Sequence, residues 1–180
     1  MRNSYPDQVV EPVRWLTADE QRAWRTFLEF QRVLADALQG QLQRDAGIPH
    51  TYYEILVRLS EAEGRRMRMT QLSEQTVQSK SALSHACARL EERGWIRRVE
   101  CSDDRRGLLA ELTDEGFAAL EGMAPGHVTT VRESLFDALT PEQVTQLKDI
   151  GESVVRRLGG QTCAEVEELQ GAPLAGGAVP

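Results

Sequence analysis

Apolar residues recur along this chain mainly at intervals of three and four, the period of helices with one buried face. Trp24, Phe27, Leu28, Leu34, Leu38 and Leu42 mark one long helix. Thr17 and Glu20 stand at its start as a capping-box pair, and Gly47 and Pro49 stop it after about Asp45. At roughly 25 residues it is long for one core, so part of it is expected to pack on another subunit. A second stripe, Ile55, Leu56 and Leu59, follows a Thr51–Glu54 capping pair and ends at Gly64. Arg65-Arg66-Met67-Arg68 reads as a basic loop, and Thr70 to Thr76 as a short helix with Leu72 inward. Between Ser79 as N-cap and Gly94 as a left-handed stop lies another stripe of Leu83, Ala86, Cys87 and Leu90.

Past Gly94 the pattern changes. Trp95 to Cys101 reads as a strand and Leu108 to Leu112 as its partner, with the turn 102–107 and its two arginines between them. Thr113 then caps a helix carrying Phe117, Leu120, Val128, Val131 and Leu135, which Pro125-Gly126 should kink or break. Thr140-Pro141-Glu142-Gln143 opens a last helix with Val144, Leu147, Val154 and Leu158, closed by Gly159-Gly160. Residues 1–14 look irregular because of Pro6 and Pro12. The tail beyond 160, rich in Gly, Ala and Pro, is expected to be mobile.

The predicted fold is mainly α with a small β-hairpin. Two short helices with a tight connection, then a hairpin, make a winged helix-turn-helix over residues 49–113. Residues 1–48 and 114–160 would supply the N- and C-terminal helices of a dimerisation region, with 161–180 as the tail.

The helix from Ser79 to Gly94 carries the chemistry. Opposite its apolar stripe it presents Lys80, Ser81, Ser84, His85 and Arg89, with no carboxylate before Glu91. Hydroxyl and imidazole groups can reach base edges in a major groove, while Lys and Arg reach phosphates or guanine. The competing reading is an ordinary solvated face. Charge distribution favours the first. The net charge of −7 divides into +4 over residues 65–106, −3 before them and −8 after, and binding responds to the local field.

Composition excludes other classes. His50, His85 and His127 lack metal-ligand spacing, and no nucleophile motif or Gly-rich phosphate loop is present, so neither an enzyme nor a cofactor is expected. Three widely spaced cysteines suggest no disulfide framework and no zinc site. No apolar run spans a membrane and no signal peptide is visible, which points to the cytoplasm.

Asp104-Arg105-Arg106-Gly107 followed by Leu112-Thr113 and Gly116 resembles the Asp-x-Arg…Leu-Thr-x-x-Gly signature of MarR-family transcriptional regulators. The helix ending Arg89-Leu90-Glu91-Glu92-Arg93-Gly94 is similar to that family's recognition helix. The likeness covers roughly residues 17–160. It implies a homodimer with intertwined first and last helices, a palindromic double-stranded DNA operator, repression, and release by a small ligand or by oxidation.

On that resemblance Ser79, Lys80, Ser81, Ser84, His85 and Arg89 would face the major groove, with half-sites about 34–36 Å apart. Arg105 or Arg106 would enter the minor groove, the other pairing with Asp103 or Asp104. Arg65, Arg66 and Arg68 are phosphate candidates, as are the first N–H groups of the short helix at Thr70 and Gln71. A small aromatic ligand would meet Arg14, Trp15, Trp24, His50, Tyr52 and Tyr53. For a redox-responsive regulator of the same fold, Cys101 beside Arg97 and Arg98 is the better sensor, since Cys87 lies on a buried stripe and Cys163 in the tail. A winged-helix interaction module without DNA binding is the remaining alternative.

Overall fold

The computed structural model describes residues 13–160 apart from Val77, Ser102 and Asp103, and describes the backbone but not the side chains of Cys101 and residues 104–107. The tail from 161 on, with Cys163, and residues 1–12 of the N-terminal stretch lie outside the described residues. In chain order the elements are α1 (Ala18–Asp45), α2 (His50–Glu61), β1 (Arg66–Arg68), α3 (Met69–Gln75), α4 (Lys80–Glu92), β2 (Ile96–Cys101), β3 (Asp104–Leu112), α5 (Asp114–Ser134) and α6 (Pro141–Arg157). The chain divides into two units, Met1–Val33 and Leu34–Pro180.

In the first unit α1 opens on the expected reciprocal cap. Thr17 N–H donates to Glu20 Oε2 at 2.7 Å, and Glu20 N–H donates to Thr17 Oγ1 at 3.2 Å. Trp24 stacks on Phe27 with ring centroids 6.0 Å apart. Trp15, Leu16, Trp24, Phe27, Leu28 and Val33 are all exposed, an apolar face in water that soluble monomers rarely keep.

The second unit holds the core. Leu42, Ile48, Ile55, Leu56, Leu59, Leu72, Leu83, Leu90 and Leu120 are fully or almost fully buried. Apart from Leu42 at the end of α1 and Ile48 in the connection after it, these are the stripes of α2, α3, α4 and the first half of α5, where the helical period did select the inward faces. A three-stranded antiparallel sheet of order β1-β3-β2 closes the core with Met67, Ile96, Ala110 and Leu112. Met67 pairs with Ala110 and Ile96 with Leu112 across the sheet.

Four local expectations are corrected. The basic loop 65–68 is instead strand β1, whose exposed-buried-exposed pattern turns Met67 inward. The wing is longer and tighter than read: β3 starts at Asp104, Cys101 pairs with Asp104, and a register shift falls between Glu100 and Cys101. Thr51 is no cap, because α2 begins at His50 behind Pro49 and Thr51 lies inside its first turn; the His50 N–H donates to Gln39 Oε1 at 3.0 Å. Helix α5 runs unbroken through Pro125. Proline there forfeits one backbone bond, while the hydroxyls of Thr129 and Thr130 donate to the carbonyls of Pro125 and Gly126.

Candidate nucleic-acid interface

Helix α4 is held from three sides. Ser79 caps it, accepting from Ala82 N–H at 3.2 Å and lying 3.1 Å from Ser81 Oγ. Leu83, Ala86, Cys87 and Leu90 anchor its inner face. Its end is closed by Gly94 at φ 74°, a left-handed conformation that costs glycine little, and there Trp95 N–H donates back to Leu90 O at 3.0 Å. The start of α5 locks this turn. Thr113 Oγ1 donates to Gly94 O at 2.7 Å and accepts from Gly116 N–H at 3.0 Å, while Thr113 N–H donates to Trp95 O at 3.0 Å. Gly116 lies so close to Trp95 that a Cβ there would be 2.7 Å from the Trp95 carbonyl carbon and closer still to its oxygen. The Leu112-Thr113-x-x-Gly116 pattern thus seats α5 on the turn that joins α4 to β2.

Ser79, Lys80, Ser81, Ser84, His85 and Arg89 lie on the outer side of α4, none of them buried, so the fold brings the predicted contact set onto one outer surface. Thr70 and Gln71 lie in the first turn of α3, and Arg66 and Arg68 are exposed on the outer side of β1. The side chains of Arg105, Arg106 and Cys101 lie outside the described residues.

Several cations counted in the basic middle carry ion pairs or ring contacts, most of them at the surface. Arg65 stacks over the Phe117 ring at 3.8 Å and pairs with Asp114 at 3.3 Å, with a left-handed backbone at φ 53°. Arg65 is thereby the phosphate candidate most engaged with the fold. Arg89 pairs with Glu92 at 2.8 Å. Arg93 lies over Trp95 and donates to Gly47 O at 3.2 Å. Arg97 pairs with Glu111 at 2.6 Å and Arg98 with Glu91 at 2.5 Å. These partners hold the carboxyls of Glu91 and Glu111 below the usual carboxylate range, and they weaken the case for Arg97 and Arg98 as activators of Cys101.

The aromatic residues assigned to a ligand divide between the two units. Arg14, Trp15 and Trp24 belong to the first; the Trp15 side chain is 83% exposed. In the second unit Tyr52 and Tyr53 serve different neighbourhoods. Tyr52 lines an open cleft of about 550 Å³ with Gly47, Pro49, Arg89, Glu92 and Arg93. Tyr53 is buried and joins a cluster with His50 and His127, its ring 4.3 Å from the His127 ring, which is 5.5 Å from that of His50. His127 joins this group from α5, far along the chain from His50 and Tyr53. Burial, then the His50 ring, push its pKa down to about 4, and its Nδ1 is buried without a hydrogen-bond partner. Burial pushes the Cys87 thiol up to about 11, as a packed small hydrophobe should be.

Among the described residues no group of three or more His, Cys, Asp or Glu could hold a metal, and no helix is long and apolar enough to cross a membrane. The MarR family model matches residues 46–107. The chain is 52% identical to Sco3205, a MarR family transcriptional regulator from Streptomyces coelicolor solved in complex with DNA. That match covers 83% of this chain and 92% of the other, with TM-score 0.78. It is 47% identical to AbsC, another MarR family regulator from Streptomyces coelicolor, covering 83% of this chain and all 100% of that one, with TM-score 0.77. It is also similar to the transcriptional repressor MprA of Escherichia coli (strain K12), 28% identical over 120 residues, which is 67% of this chain and 68% of the other.

Proposed function

This chain belongs to the MarR family of transcriptional regulators, and we propose that it binds a palindromic DNA operator as a homodimer in the cytoplasm and represses transcription. Helix α4 lies in the major groove, presenting Ser79, Lys80, Ser81, Ser84, His85 and Arg89. The wing lies along the minor groove, where Arg105 or Arg106 meets the narrow, negative channel. Thr70, Gln71 and Arg68 at the start of α3 contact phosphates. The observation that carries this reading is the outer face of α4: its polar residues are unburied, and no carboxylate interrupts it from Ser79 to Leu90. The DNA complex of the 52%-identical Sco3205 supports it.

Dimerisation rests on unburied apolar surface in each unit. The first exposes Trp24, Phe27 and Leu28. The second exposes Ile150, Val154 and Leu158 along α6, the last of these 80% exposed. A two-fold partner covering these faces would remove from water surface worth about 25 cal/mol per Å². A small aromatic ligand releases the operator; of the candidate residues, Tyr52 lines an open cleft, with Arg89 and Arg93 beside it.

The test is fluorescence anisotropy on duplexes from the promoter beside its own gene. Ser84→Ala and His85→Ala should each weaken operator binding by about 1–3 kcal/mol while leaving binding to scrambled DNA unchanged. Truncating Arg105 and Arg106 together to Ala should flatten the salt dependence by about one unit for each lost phosphate contact. A second reading, a winged-helix module that binds protein instead, draws on the ion pairs that occupy Arg65, Arg97 and Arg98. Absence of any duplex binding would favour it.

A further inference from the structure

Arg98 looks like a DNA contact by position, two residues into the first wing strand. Its guanidinium is used elsewhere. Nε and Nη2 donate to Glu91 Oε2 at 2.9 and 2.5 Å, and the Arg98 backbone N–H donates to Glu91 Oε1 at 3.2 Å. Three bonds therefore join the last turn of α4 to β2 across the Arg93-Gly94-Trp95 turn. The two side chains are 32% and 36% exposed, so the pair is partly shielded from solvent. Bonds of this charge-assisted, multiply held kind are stronger than a single exposed contact.

We propose that Glu91 and Arg98 form a latch that sets the angle between the recognition helix and the wing, making both of them positioning residues for operator reading. The lever is simple. From Glu91 back to Ser79 the helix is about 18 Å long at 1.5 Å per residue. A tilt of about 10° at the latch end moves the leading end about 3 Å, enough to lose a base-edge hydrogen bond that tolerates only a few tenths of an ångström. Thr113 ties the Gly94 and Trp95 carbonyls to α5, whereas the Glu91–Arg98 bonds join α4 directly to β2. The neighbouring pair Arg97–Glu111 cannot substitute, because it joins β2 to β3 and leaves α4 out.

The latch rests on the DNA-binding reading above, and one experiment separates the two. Anisotropy on operator and scrambled duplexes, over a salt series, compares wild type with Glu91→Gln, Arg98→Gln, the double variant, and the charge swap Glu91→Arg with Arg98→Glu, all full length. Expected are losses of about fivefold to twentyfold on the operator for each single variant, and no further loss in the double. Scrambled DNA should be bound within about twofold of wild type with an unchanged salt slope, and the swap should recover operator binding. A salt slope flattened by about one unit in Arg98→Gln would make Arg98 a phosphate contact and overturn the latch. So would intact operator affinity in Glu91→Gln, or equal losses on both duplexes. If thermal melting shows a single variant unfolded, the swap decides alone: recovery supports the latch, a folded swap that does not recover refutes it. Wild type that binds neither duplex overturns the DNA-binding reading and the latch with it.

Discussion

Gly116→Ala tests the seat on which helix and wing depend. The added Cβ would lie 2.7 Å from the Trp95 carbonyl carbon, nearer to its oxygen, and 2.9 Å from Leu112 Cδ1. Leu112 can shift its side chain, but the carbonyl cannot swing aside freely, because it accepts the Thr113 N–H at 3.0 Å. Relief requires the first turn of α5 to move away by about an ångström, a strain of about 1–3 kcal/mol. That movement also loosens the Thr113 bonds to Gly94 and Gly116, worth about 1 kcal/mol each. The sum is about 3–5 kcal/mol. For a chain of this size that lowers Tm by about 6–20 °C. Gly122→Ala on the same helix is the control: its Cβ meets nothing within 4 Å, so alanine should stabilise by about 0.5–1 kcal/mol. Thermal melting followed by circular dichroism, at one protein concentration because assembly shifts Tm, reads both. A Gly116→Ala protein melting within about 2 °C of wild type would refute the reasoning.

Three further outcomes follow from the same geometry. His127 has a folded pKa of about 4, below its ordinary 6.5, so the unfolded chain takes up its proton first. Its contribution is complete above about pH 6.5 and is lost as pH falls toward 4. Allowing for its partial exposure, urea midpoints should show about 1–2 kcal/mol more acid destabilisation in wild type than in His127→Phe; parallel curves would contradict this. Cys87, buried with its thiol pushed up to about 11, should stay unalkylated by iodoacetamide at pH 8 in native protein and react once unfolded, as peptide mass mapping would record. Leu90→Ala removes a fully buried anchor of α4 and should cost about 2–5 kcal/mol in denaturant unfolding.

Local signals were the most legible. The Thr17–Glu20 and Thr140–Gln143 boxes, the Ser79 and Thr113 caps and the Gly94 stop each involve partners within five residues, and all are present. The helical stripes also identified the buried side of α4 correctly. What stayed hidden depends on distant partners. Strand β1 has one apolar residue and exists because β3 pairs with it. Thr51 lies inside the first turn of α2, where the His50 N–H is met by Gln39, eleven residues back. Gly126 sits where a Cβ would be 3.1 Å from both Gln41 Nε2 and Asp45 Oδ2, a close approach of α5 to the end of α1 that no local pattern announces. Counting charges located the basic region but could not show that Arg65, Arg97 and Arg98 already have carboxylate partners. Long side chains choose those partners in space, and only the folded chain reveals them.

On the proposed reading, two copies of α4 read two half-sites on one face of a duplex. Hydroxyl-radical footprinting of the promoter DNA beside its own gene tests it most directly. The predicted result is two protected patches related by a two-fold axis and separated by about one helical turn, each lost in Ser84→Ala with His85→Ala. A single unpaired patch, or uniform DNA at concentrations that saturate anisotropy, would contradict it.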